Sequence, residues 1–538
     1  MSVWSVKMSL HRLSVRVLGR STVDKQAQYD VVIVGSGFGG SISALRLAQA
    51  GKSVAVLERG RRYRAGSFPR DIAKLDELFW RRQSRPQAQG LYDLRFLTGV
   101  GTLTASGVGG GSLIYANVHV RPHPVVFEDP GWPRGYDRAT LEPYFDKVAT
   151  ELQLEPVPPA LRLHKRDAFN RAAAAMHVPT FDPPLAVSFT KPPAPDRKVC
   201  QLVAECEFGC QHGAKNSMDL SYLARAESLG ATVWPRTNVT HIEPSSGGYR
   251  VHYDDLAGGG RRCVRGIRVV LAAGTLSSVE ILLRSRDIAG TLPRVSARLG
   301  HGYSANGDFL GSLQNCREDL QPWLGPDVTT VMSFFDADPS FTLVTPTFSR
   351  AATEVLASLG QPKLGIFGGV GTHLWPVVGP VLRSAMSRGL LSKPLGKGAV
   401  NPAGFCNLFA IGRDNANGRM RLKGERLDIA WDYAKENALL VERMSLAMES
   451  LAAQYGGTFA PLFTWPLFRR PLTVHSLGGA HLAESPAGGV VSTEGEVFGY
   501  PGLYVTDGSV IPTSLGFHPA MTISAVAERI AEAMTRSS

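Results

Sequence analysis

The run Tyr29-Asp30-Val31-Val32-Ile33-Val34 leads without a break into Gly35-Ser36-Gly37-Phe38-Gly39-Gly40, and this segment constrains the fold most strongly. An unbroken series of β-branched apolar residues has the composition of a buried parallel strand. The pattern from Ser41 to Ala50 is helical, Gly51-Lys52 closes it, and Ser53 to Glu58 reads as the next strand. In this setting each glycine has a physical task. Gly35 permits the tight turn, Gly37 lets backbone approach a pyrophosphate, and Gly40 allows the helix to pack closely on the strand. The helix start presents free N–H groups and a positive dipole end to phosphates. Glu58, at the tip of the second strand, is placed to accept hydrogen bonds from a ribose. Gly35, Gly37, Phe38, Gly39, Gly40, Glu58 and the adjoining Arg59 are therefore expected to bind a dinucleotide. The segment alone does not distinguish NAD from FAD.

With 538 residues the chain exceeds the size at which a single core keeps growing, so two domains are expected. The 44% apolar and 19% charged fractions are those of an ordinary globular protein. A net charge of +12 favours anionic surroundings. No helix-turn-helix, zinc-finger or RNA-binding signature accompanies it, so nucleic acid is not an expected partner. Six cysteines in so long a chain do not read as a disulfide framework, which points to a reducing, cytoplasmic setting. The stretch Met1 to Gln28 is basic and serine-rich, with Lys7, Arg12, Arg16, Arg20 and Lys25. A transit peptide, a surface-lying helix and a disordered start are all compatible with it.

Further glycine-rich and histidine-bearing segments follow. Gly107-Val108-Gly109-Gly110-Gly111-Ser112 precedes Leu113-Ile114-Tyr115-Ala116-Asn117, and such a density of glycine suits backbone lying against a ligand. Ile267 to Gly274 reads as a strand ending in Ala-Gly, with a helix after it. His475 stands in Thr-Val-His-Ser-Leu-Gly-Gly. His518 follows Thr506-Asp507-Gly508-Ser509, in the sequence Gly516-Phe517-His518-Pro519-Ala520-Met521-Thr522, ahead of a terminal helix.

Together these segments resemble the glucose–methanol–choline oxidoreductase family, most nearly its cholesterol oxidase-like branch. The match rests on Gly35 to Gly40 with Glu58, Gly107 to Asn117, His475 to Gly479, Asp507 to Thr522, and Gly209-Cys210-Gln211-His212-Gly213-Ala214-Lys215. It implies an α/β chain: a Rossmann-like FAD-binding domain from 29–120, 200–310 and 466–538. A discontinuous substrate domain, an antiparallel sheet with helices, would come from 121–199 and 311–465, and residues 1–28 would be an extension. By the same resemblance Glu58 would hold the adenosine ribose, and Val239 would meet the adenine. Gly107, Gly110, Gly111, Ser112, Tyr115, Asn117 and Gly274 would line the cofactor. Asp507 and Gly508 would contact the ribityl–pyrophosphate portion, and His518, Pro519, Met521 and Thr522 would complete the site. Leu113, Ile114 and Tyr115 stand where some relatives carry a flavin-linked histidine, so attachment is expected to be non-covalent.

The implied reaction is oxidation of a CH–OH group, with hydride passing to flavin N5. A neutral imidazole is suited to take the hydroxyl proton because its pKa lies near working pH. The resemblance gives that role to His475, and to His518 that of holding the substrate oxygen; His481 is a nearby rival. A flavin-dependent lyase or decarboxylase, or a lipid-binding flavoprotein without turnover, remains open on the same scaffold. Leu343 aligns where isomerising relatives place a glutamate, so simple oxidation is expected. The apolar stretch Leu364 to Val378, followed by Arg383, Arg388, Lys393 and Lys397, suits either a lid over a bulky apolar alcohol at a membrane surface or a core element with a solvated loop. Cys200, Cys206 and Cys210 do not have metal-site spacing, so no metal is expected. Arg413-Asp414 and Asp428 read as solvated surface. The electron acceptor and oligomeric state are left open.

Overall fold

The computed structural model describes residues 22–71, 74–82, 85–359 and 401–536. The apolar stretch Leu364 to Val378 and its basic flank lie outside the described residues, as does most of the N-terminal basic segment.

The nucleotide fingerprint sits in a seven-stranded sheet. At its centre the strand Thr22–Val34 pairs in parallel with Val54–Leu57 on one side and Arg261–Leu271 on the other. Val31 to Val34 are each at most 3% exposed, so this run is buried on both faces, as its composition requires. The strand starts at Thr22, upstream of the expected Tyr29, because Thr22 and Val23 are in register with Arg262 and Cys263. The backbone from 22 to 28 is thus part of the sheet rather than a loose extension. Arg261–Leu271 serves two kinds of neighbour. Its early half runs antiparallel to Gly248–Asp255, and its end runs parallel to Leu503–Val505, which brings the C-terminal segment to the nucleotide edge.

The helix Phe38–Gln49 follows the glycine turn and stops at Gly51. Gly51 takes a φ of +73°, and its N–H and that of Lys52 bond back to Ala48 and Leu47, satisfying carbonyls the helix end would leave bare. This helix packs against the C-terminal helix Ala520–Arg536.

A second, six-stranded sheet is antiparallel: Thr458–Pro461, Phe309–Gln314, Cys406–Gly412, Phe341–Val344, Val331–Phe334 and Thr180–Phe181. Leu343 is fully buried in it. A small third sheet joins Tyr92–Phe96, Gly101–Ala105 and Leu472–Thr473, the last pair running parallel with Leu472 opposite Gly101 and Thr473 opposite Thr102. Among the described residues no helix is long and apolar enough to cross a membrane.

Candidate active site

The two glycine runs meet. Ser36 is the link: its hydroxyl donates to Glu58 Oε2 at 2.7 Å and accepts from Gly109 N–H at 3.0 Å. A Cβ on Gly110 would lie 2.6 Å from the Gly37 Cα, so the loops touch backbone to backbone. Gly40 would place a Cβ 2.0 Å from the Gly35 carbonyl oxygen, and Gly39 would do the same against Thr506, so both are packing glycines. Glu58 is buried, accepts further hydrogen bonds from Ser36 N–H and Gly60 N–H, and burial pushes its carboxyl upward in pKa.

From this junction a cavity of about 1260 Å³ runs to the histidine pair. Its wall includes Gly35, Gly37, Phe38, Gly39, Glu58, Arg59, Gly110, Gly111, Tyr115, Val239, Gly274, Asp507, Gly508, Pro519, His475 and His518. Arg59 is held by Asp93 at 2.9 Å and lies over the Trp80 ring. Asp507 accepts from Gly274 N–H at 2.9 Å and from the hydroxyls of Ser278 and Ser509, fixing the loop at the far strand end. Six of the expected contacts do not line the cavity: Gly40, Gly107, Ser112, Asn117, Met521 and Thr522. Gly40 packs under the turn. Gly107 abuts Leu113 and Tyr63. Ser112 bonds Gly109 O and Met218 N–H, and Met521 is in the core. Asn117 and Thr522 are buried, with side-chain polar atoms that have no partner among the described residues.

At the other end His475 follows the short strand Leu472–Thr473. Its Nδ1 lies 2.9 Å from Oδ1 of Asp308, which is wholly buried. The other carboxylate oxygen of Asp308 accepts from Thr473 Oγ1 at 2.8 Å and Val474 N–H at 2.9 Å. A carboxylate on Nδ1 fixes the proton there and leaves Nε2 with its lone pair. Phe409 stacks on the His475 ring, with centroids 5.4 Å apart and planes 8° from parallel. His518 meets His475 edge to face at 5.3 Å. Burial, then the neighbouring His475 and His119, hold the His518 imidazole well below its usual pKa, so it is neutral. Its Nε2 is buried with no partner among the described residues.

A single turn, Ser304 to Asp308, organises both histidines, and no sequence motif marked it. Asn306 donates to Phe517 O at 2.7 Å and accepts from Leu515 N–H and Gly516 N–H, fixing the loop that carries His518. Asp414 in turn accepts from Ser304 Oγ, Ala305 N–H and Gly307 N–H. Burial lifts its carboxyl to about 6. Asp414 and Asp428 are therefore not solvated surface: both are buried, Asp428 bonding Thr98 through N–H and hydroxyl. Both work as anchors for backbone donors. His481, the nearby rival, faces away: its Nε2 bonds Gly302 O at 3.0 Å, and burial drops its pKa to about 4. Lys215 from the Gly-Ala-Lys segment donates to Leu113, Tyr115 and Cys206 carbonyls, stapling the second glycine run; burial lowers it to about 8. None of the six cysteines is in a disulfide.

The residues fit a flavin dinucleotide. Gly111 and Gly274 bare their backbone to the cavity, since a Cβ on either would meet nothing within 4 Å among the described residues. No side chain caps the helix at Gly37, and the unpartnered His518 Nε2 lines the opposite end.

Comparisons with known proteins agree. The N-terminal GMC oxidoreductase domain pattern matches residues 29–299, and the C-terminal one 416–527. Cholesterol oxidase of Mycobacterium tuberculosis (strain ATCC 25618 / H37Rv) is 32% identical over 94% of this chain and 90% of its own. Cholesterol oxidase of Acinetobacter baumannii is 28% identical over 93% of each chain. A long-chain-alcohol oxidase of Arabidopsis thaliana is 24% identical, over 93% of this chain and 66% of its own. Two solved structures share the fold. Formate oxidase from Aspergillus oryzae RIB40 has a TM-score of 0.63 at 14% identity, covering 95% of this chain and 98% of that one. Pyridoxine 4-oxidase from Mesorbium loti has a TM-score of 0.62 at 17% identity, covering 94% and 98%. With its glycine cradle, its paired imidazoles and both family domains in place, the chain belongs to the GMC oxidoreductase family of FAD-dependent enzymes.

Proposed function

We propose that the protein oxidises the CH–OH group of a bulky apolar, sterol-like alcohol, with FAD held non-covalently. The observation that carries this reading is the His475–His518 pair: two imidazoles in edge contact on one cavity wall, one aligned by a buried carboxylate and the other neutral with a free ring nitrogen. The names of the curated relatives, cholesterol oxidase and long-chain-alcohol oxidase, support the substrate class. Bound FAD supplies an acceptor for the hydride of the carbinol carbon.

The chain's own groups do the rest. Asp308 keeps the Nδ1 proton on His475, so Nε2 accepts the proton of the substrate hydroxyl. Asp308 also stabilises the imidazolium that results, as a buried opposite charge should. His518, neutral because it is desolvated, holds the substrate oxygen through Nε2 without adding a competing charge. Phe409, stacked on His475, restricts ring rotation and keeps water from that face. Gly35, Gly37, Gly39, Glu58, Val239, Gly274, Asp507 and Gly508 would hold the nucleotide portion, and Gly110, Gly111, Tyr115 and Pro519 would lie along the flavin. The six-stranded sheet belongs to the substrate domain of 121–199 and 311–465 in this reading.

His475→Ala should slow anaerobic flavin reduction by a candidate alcohol by roughly 10²- to 10⁴-fold while the purified protein keeps its flavin absorbance. Reduction at the parental rate in a His475→Ala, His518→Ala double variant would remove the assignment.

A further inference from the structure

The cavity wall carries a carboxyl, Glu207, that neither the nucleotide end nor the histidine pair uses. Glu207 lies in the turn Cys206–Phe208, partly accessible, with Phe208 and Phe348 beside it on the same wall. Its side chain meets that of Asp327, which is 0% exposed. Asp327 Oδ1 accepts from Thr347 N–H at 3.1 Å, whereas Oδ2 has no donor among the described residues.

Two buried lysines stand nearby, yet their hydrogens are spent elsewhere. Lys215 Nζ donates to the carbonyls of Leu113, Tyr115 and Cys206. Lys165 Nζ donates to the carbonyls of Asp327 and Thr345 and to Thr347 Oγ1. The other titratable groups facing the cluster, Cys206 and Tyr92, are held in their neutral forms by burial. Two carboxylates in contact with no donor between them repel, and one proton held between them turns the contact into a hydrogen bond.

We infer that Glu207 and Asp327 share one proton, and that the Glu207 carboxyl oxygen this leaves free on the cavity wall accepts a hydrogen bond from a second hydroxyl on the apolar alcohol. The inference rests on the alcohol-oxidation reading above. Phe208 and Phe348 form an edge-to-face pair, 5.7 Å between centroids, so a bulky substrate packed against them shuts water away from Glu207. A substrate that offers only hydrocarbon there leaves an acceptor unpaired; one with a hydroxyl in reach satisfies it.

Infrared difference spectra of the holoenzyme, with kinetics on a long-chain primary alcohol and its α,ω-diol, and on a sterol and an analogue carrying a second hydroxyl, test this. The expected result is a carboxylic-acid carbonyl band at neutral pH that shifts when the oxygenated member of a pair binds and is missing in Glu207→Gln and Asp327→Asn. In kcat/KM the parent should favour the oxygenated member by about tenfold. The preference should fall to near unity in Glu207→Leu and return in part in Glu207→Gln. Glu205→Gln, whose carboxylate pairs with Arg70 at the surface, should keep both band and preference. If Glu207→Leu does not fold, the Glu207→Gln and Asp327→Asn spectra still decide. A parent without the band, or a preference that survives loss of Glu207, overturns the inference. If no alcohol is turned over, the oxidation reading fails on its own, and the band still reports whether the proton is shared.

Discussion

The nucleotide end of the cavity and its histidine end are built on opposite principles. At the nucleotide end the working surface is backbone: glycines of two loops in mutual contact, a bare helix start and the end of a parallel strand. At the histidine end it is side chains aligned by other side chains, with Asp308 and His475 separated by 167 residues in sequence. A backbone surface fails sterically and all at once; a side-chain constellation fails chemically and by degrees.

The sharpest test of that contrast is Gly39→Ala. The added methyl would sit 2.0 Å from the Thr506 carbonyl oxygen, which sheet pairing nearby holds in place. Overpacking of this kind costs about 1–3 kcal/mol or more, and the expected outcome is little soluble, flavin-containing protein in an expression and absorbance assay. Gly111→Ala is the internal control: its methyl meets nothing within 4 Å among the described residues, so the fold should persist and only cofactor retention should weaken. If both variants behave alike, the two-loop packing argument is wrong.

Next in size is Asp308→Asn. The oxygen facing Thr473 and Val474 would remain an acceptor, so the amide NH₂ would turn toward His475 and donate to Nδ1, moving the ring proton to Nε2. Flavin reduction should drop by roughly 10²- to 10⁴-fold with cofactor content unchanged. A mild loss would mean that Asp308 only packs against the ring.

The smallest effect is on stability. His119 and His481 are buried neutral, titrating at about 3 and about 4 rather than 6.5. Because the folded pKa values are depressed, acid favours the unfolded chain from about 6.5 downward. Asp414, raised from 3.8 to about 6, opposes this over its own narrower window. The unfolding midpoint should fall by roughly a few degrees between pH 7 and 5. A midpoint that rises would show that the raised carboxyls outweigh the imidazoles.

The same contrast explains what could be read in advance. The fingerprint Gly35 to Glu58 was legible because backbone contact with a dinucleotide forces glycine at fixed spacing within one local unit. Gly274 and Asp507 were expected through the family resemblance rather than from a local pattern, and both line the cavity. The turn Ser304 to Asp308 was not legible: Asn306-Gly307 reads as an ordinary turn, and its value appears only when the loops of His475 and His518 fold onto it. Asp414 and Asp428 were misread because polar residues near turns suggest solvent, whereas here they bind buried backbone donors. Ser112 and Asn117 lie within a recognisable motif yet face away from the cavity, since motif membership says nothing about which way a side chain points.

The parallel pairing of Leu472–Thr473 with Gly101–Ala105 has a broader consequence. That ladder ties the loop of His475, the proposed proton acceptor, to the polypeptide leading into the Gly107–Ser112 run, so the ring and the glycine cradle are tied together through the backbone. The outer strands of the other sheet, by comparison, take no part in the clamp. Substitutions in those outer strands should therefore leave the separation of His475 from the glycine cradle unchanged.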